Sequence, residues 1–139
     1  MALADYARET VLNHVFGNVP VWVSKPTYYI GLARGTVQYD GSNLVDIECS
    51  GGGYTRQSYS NTVSNWTNSS SGVVTNSGVI AWSQATASWG KTTHFFISNN
   101  NTVGESSGLM VVGQLSTPRT IVVDDYPSFA ANSITVSIS

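Results

Sequence analysis

Charge is what this 139-residue chain has least of: Asp, Glu, Lys and Arg make up 10%, where about 25% is usual in a globular domain. Six Lys and Arg face eight Asp and Glu for a net charge of -2. No basic surface for phosphates results, so nucleic acid is not expected as a partner. One cysteine, Cys49, excludes an internal disulfide and a cysteine-built metal site. It reads as a small buried side chain rather than a reactive thiol. No apolar run approaches the roughly 20 residues of a membrane span, so no membrane contact is expected. Asp5, Arg8, Glu9 and His14 break up the first sixteen residues, and no signal-peptide core is expected there.

Catalytic furniture is equally sparse. The two histidines are His14 and His94, and each reads as a satisfied structural side chain before a general base. The sequence holds no nucleophile elbow, phosphate-binding glycine loop or His-x-x-x-His pair. Asp124 and Asp125 are the one carboxylate pair clustered outside the N-terminal segment, and Asp-Asp-Tyr-Pro reads as a turn before it reads as a calcium site. The chain is expected to be no enzyme and to need no cofactor or metal.

What the chain has instead is uncharged polarity. Twenty Ser, 14 Thr and 11 Asn supply the polar surface that Lys and Glu usually provide. The length suits one domain, able to bury about 70% of the surface its unfolded chain exposes. Leu3, Tyr6, Ala7, Thr10, Val11, His14 and Val15 recur at three- and four-residue spacing, which predicts a helix over 3–16. Gly17 and Pro20 are its stop signals. The apolar stripe must be covered, either by the chain's own sheet or by a neighbouring subunit.

From Tyr28 onward the signals are β: Val is far commoner than Leu, and short runs are separated by Gly, Asn and Ser. Strands are expected at 28–33, 54–59, 73–75, 78–82, 92–98, 109–115, 120–123 and 133–138, with a hairpin over 37–45 turning at Asp40-Gly41. Pro118 is expected to end one strand before Arg119 opens the next. Loops are expected at 65–72 and 99–108. The fold class is mainly β, an antiparallel two-sheet β-sandwich, jelly-roll or immunoglobulin-like, with a short N-terminal α-helix. Residues 1–20 form the helical arm and 21–139 the sandwich.

Two features invite a binding role. The Gly51-Gly52-Gly53 run lets the backbone turn sharply or pass close to another chain. Trp66 lies in a Ser/Asn-rich loop with no obvious core partner, where it can stack on a sugar. Trp82 and Trp89 read as core, since Trp and Tyr also serve cores and protein interfaces.

Several segments together resemble a group of small tailed-bacteriophage virion accessory proteins. They are Leu-Ala-Asp-Tyr-Ala at 3–7, Leu-Asn-His-Val-Phe-Gly at 12–17, Tyr-Ile-Gly-Leu at 29–32 and Ser-Gly-Gly-Gly-Tyr-Thr-Arg at 50–56. Further on come Asn-Ser-Gly-Val-Ile-Ala-Trp at 76–82, Ala-Thr-Ala-Ser-Trp-Gly-Lys-Thr-Thr-His-Phe at 85–95, Gly-Gln-Leu-Ser-Thr-Pro-Arg at 113–119, Phe-Ala-Ala at 129–131 and Ile-Thr-Val at 134–136. Residues 35–49 and 99–108 depart from the pattern. The resemblance implies a structural virion protein, made in the host bacterial cytoplasm. In the leading form it is a capsid decoration (cement) protein, a trimer bound to the major capsid protein on the outer head surface. Leu3, Tyr6, Val11, Val15, Gly51, Gly52 and Gly53 are then the expected subunit or capsid contacts. In the alternative it is a tail-fibre or adhesin module that binds host-surface carbohydrate, with Trp66 as the expected glycan contact.

Overall fold

The computed structural model describes residues 2–17, 25–67 and 72–137. Pro20, the boundary between residues 20 and 21, positions 68–71 of the first loop and Ile138 fall outside them. In chain order the elements are β1 (Ala2–Leu3), α1 (Asp5–Val15), β2 (Thr27–Ala33), α2 (Leu44–Ile47), β3 (Gln57–Ser60), β4 (Val73–Thr75), β5 (Ile80–Ala81), β6 (Gly90–Ser98), β7 (Leu109–Ile121), β8 (Ser128–Phe129) and β9 (Thr135–Ser137). Every strand pair is antiparallel. Five strands form the main sheet in the order β1-β7-β6-β2-β3, while β4–β9 and β5–β8 are separate two-stranded ribbons. The protein is a mainly β sandwich with a short N-terminal helix.

Register explains the core. Ile30, Ile97 and Val111 lie across from one another, as do Leu32 and Phe95. They face a layer that includes Ile80, Trp82, Trp89 and Ile134. One residue along, Phe96 and Val112 point to the opposite face, which Val37 and Leu44 cover. With both faces buried, the middle strands are continuous apolar runs instead of alternating ones.

The cover of that second face is where 37–45 departs from the predicted hairpin. Asp40-Gly41 does turn: Gly41 has φ +73°, and the Asp40 carboxylate accepts from Ser42 N–H at 2.9 Å. Asn43 then accepts from Gln38 N–H at 3.0 Å and donates to Thr36 O at 2.8 Å. These side-chain bonds replace a strand ladder, and the chain closes into the single turn α2.

The second departure is β7, one strand where two were expected. Pro118 does not end it. Thr92 lies across from Arg119 and His94 from Gln114, so Thr93 alone faces residues 115–118. Inside so wide a bulge the missing proline N–H costs no ladder bond.

Helix α1 packs on its own sheet. Ala4 and Ala7 are buried, Leu3 and Val11 half-buried. The helix entry is tied down where Ala4 N–H donates to Met110 O at 2.8 Å and Asp5 N–H to Tyr39 O at 3.0 Å. Gly17, at φ +70°, ends it as a left-handed stop. None of the described helices is long and apolar enough to cross a membrane.

Candidate binding groove and contact surfaces

The β7 bulge opens one wall of a groove of about 560 Å³. Ser116, Thr117, Arg119 and Thr120 line that wall, all exposed. The facing wall is the 125–129 segment, which is stapled to 80–85: Trp82 N–H donates to Pro127 O at 2.9 Å, Ala85 N–H to Asp125 O at 2.8 Å, and Ile80 and Ala81 pair with Phe129 and Ser128. Asp125 fixes its own turn by accepting from Val122 N–H at 2.9 Å. Asp124, at φ +74°, accepts from Gln84 Nε2 at 3.1 Å. The Asp-Asp-Tyr-Pro stretch is thus a turn, as its residue types predict. Among the described residues no three His, Cys, Asp or Glu converge as metal ligands.

Aromatic rings make the groove's floor. Phe129 is half-buried, held edge-on by Trp82 at 5.8 Å and Phe95 at 5.5 Å between centroids. Trp82 is locked by its own indole N–H, which donates to Thr55 O at 2.9 Å. Tyr126 stands 68% exposed at the rim. Arg119 pairs with no carboxylate among the described residues; the ion pairs there are Arg8–Asp5 and Arg56–Glu48. The groove therefore offers a rigid aromatic floor, hydroxyls on both walls and one free guanidinium.

The residues singled out from sequence lie elsewhere. Trp66 is half-buried with its ring edge-on to Tyr59 at 5.2 Å. Its indole N–H is buried with no partner among the described residues. Gly51, Gly52 and Gly53 all have positive φ, at 72°, 54° and 79°, and Gly52 and Gly53 approach the chain's own backbone. Gly52 O accepts from Trp89 Nε1 and from Thr86 N–H, both at 2.9 Å, and a Cβ on Gly52 would sit 2.7 Å from Ala87 O. Gly51 alone of the three faces open space. Leu3 lies not on the helix, as the 3–16 pattern predicts, but in β1 opposite Val111, where it is half-buried; on α1, Tyr6 and Val15 are exposed and Val11 is half-buried. The far end of the helix carries Leu12, Val15 and Phe16 at 57%, 65% and 74% exposure, an i, i+3, i+4 apolar cluster on one side.

Cys49 is buried and His94 half-buried. Burial pushes the Cys49 thiol up in pKa, and its sulfur lies 3.5 Å from Thr92 Oγ1. His94 Nδ1 lies 2.8 Å from Thr93 Oγ1, and burial holds its pKa below the usual value.

Sequence reasoning missed the most elaborate polar cluster. Glu48 and Arg56 are both buried and joined at 2.6 Å through Nε. Glu48 Oε2 also accepts from Gly104 N–H at 2.8 Å. Arg56 donates to Asn100 O at 2.8 Å and Glu105 O at 2.9 Å, and its guanidinium lies 4.8 Å from the Phe96 ring centre. Asn100, Gly104 and Glu105 all belong to the 99–108 loop, so the pair pins that loop at three places. Asn76, fully buried, does similar work, donating to Gly78 O and Ala130 O and accepting from Ile134 N–H.

The family model for Podophage GP4 fiber I protein gp80 matches residues 2–137. The chain belongs to that family. It is a structural component of a phage virion. The matched range takes in α1, both groove walls and the buried Glu48–Arg56 pair, so all of these are features of a fibre-family protein. No curated protein matches the chain.

Proposed function

We propose that this fibre-family protein is a non-enzymatic part of a phage tail fibre, contacting host-surface carbohydrate, rather than a cement protein on the capsid. The family match across residues 2–137 carries this reading. Fibre membership weighs toward the tail. The groove of hydroxyls and aromatic rings beside the β7 bulge supports the carbohydrate part, since such mixed clefts suit small ligands. Trp66 is less suited to it, because its ring is wedged against Tyr59.

Assembly with neighbouring copies, in a trimer or another ring, is assigned to the exposed end of α1 around Val15, with Tyr6 and Gly51 as lesser candidates. Labelled virions imaged by electron microscopy should carry the label on the tail; label spread over the head would overturn the fibre placement. Purified chain should bind host cells, and periodate oxidation of surface glycans should abolish that binding. Undiminished binding after oxidation would overturn the carbohydrate reading.

A further inference from the structure

We infer that the groove between the β7 bulge and the 125–129 wall binds a saccharide unit bearing a carboxylate, with Arg119 as its anchor. This rests on the carbohydrate reading above and names the site and the class of sugar. A planar guanidinium matches a carboxylate through two parallel donors, and Arg119 has no carboxylate of its own to satisfy it among the described residues. The second wall adds what a sugar ring needs. Phe129, fixed by Trp82 and Phe95, offers an apolar face that is already in place, and Tyr126 offers an exposed amphipathic ring at the rim. Ser116, Thr117 and Ser128 supply hydroxyls that both donate and accept. Asp125 spends one oxygen on Val122 N–H, and its other oxygen remains an acceptor for sugar hydroxyls.

One wall is held before any ligand arrives by the ribbon pairing of β5 and β8, and the Arg119 end of the other by β6 pairing with 119–121. Little ordering is then left to oppose binding. A chain pairing along the exposed part of β7 is the competing occupant, and it would make backbone bonds that ignore the Arg119 side chain.

The test uses the whole chain and a glycan array pairing uronic-acid oligosaccharides with their methyl esters. The wild type should prefer the free acid by about tenfold or more. Arg119→Gln should lose that preference with an unchanged melting temperature, and Arg119→Lys should recover part of it. Tyr126→Ala should weaken acid and ester alike, by about 2- to 10-fold. Equal binding of acid and ester by the wild type, or an unaltered preference in Arg119→Gln, overturns this site while leaving the carbohydrate reading intact. Periodate-sensitive cell binding undiminished in both Arg119→Gln and Tyr126→Ala does the same. Failure of every glycan, with an extended peptide binding in their place, overturns both.

Discussion

Glu48 and Arg56 illustrate how much a single side chain can carry in a chain so poor in charge. Both are out of water, so the pair is maintained by its own three contacts and by three more from Asn100, Gly104 and Glu105, and removing one partner strands the other. Arg56→Met removes the guanidinium over Phe96 and leaves a buried carboxylate uncompensated. It should lower unfolding free energy by about 3–5 kcal/mol, read from urea titration. Trp89 is 2% exposed, edge-on to Tyr54 at 5.3 Å, and Trp89→Ala should cost about 3–5 kcal/mol by the same measurement. Cys49 gives a kinetic prediction. Its thiol is buried and its pKa raised, first by desolvation, so the reactive thiolate is suppressed. Ellman's reagent should label it only as fast as the protein unfolds, and raising the pH from 7 to 8.5 should accelerate it less than a free thiol.

Among the elements, β2 and β7 each place a glycine opposite an aromatic ring. Gly31 lies across from Phe96 and Gly113 from Phe95. The rings lie over the bare backbone, where a Cβ would collide with them; the aromatic covers the glycine on each face of the sheet. Gly31→Ala therefore forces Phe96 out of the centre of the second core, and should destabilise more than an ordinary surface change of about 0.5 kcal/mol. Thermal melting followed by near-ultraviolet circular dichroism checks this. Helix α1 behaves differently along its length: its first turns are part of the core and its last turn is not. Replacing Leu12, Val15 and Phe16 together by Ser should shift stability by no more than about 0.5 kcal/mol per site. The same variant should fail to assemble in sedimentation velocity, whereas unchanged assembly would rule the helix end out as the contact.

At the scale of the whole molecule, low charge shapes what holds it in place. Arg56 is committed internally, so few cations are left for electrostatic capture. The contacts proposed for the end of α1 would be apolar, and the strength of such contacts changes little with screening. Assembly should survive a rise from about 0.1 to 1 M salt, over which the Debye length falls from about 10 to 3 Å. Saccharide binding through Arg119 should weaken over the same range, so the two activities separate in one salt series.

Local pattern by itself determined the β class, the helix and its glycine stop, the turns at Asp40-Gly41 and Asp124-Asp125, and the core place of Trp82 and Trp89. Each depends on neighbours a few residues apart, where spacing and turn chemistry act directly. The one-strand β7 was hidden because a proline inside a bulge has the same sequence signature as a proline ending a strand. The hairpin at 37–45 failed because Asn43 bonds across the segment with its side chain, which competes with a ladder. The groove, the buried Glu48–Arg56 pair and the two-faced sheet were decided only by the tertiary structure. They join residues such as Arg56 with Asn100 and Glu105, 44 and 49 positions apart. Such contacts depend on which strands become neighbours, and a pattern read over a few turns of chain carries no record of that.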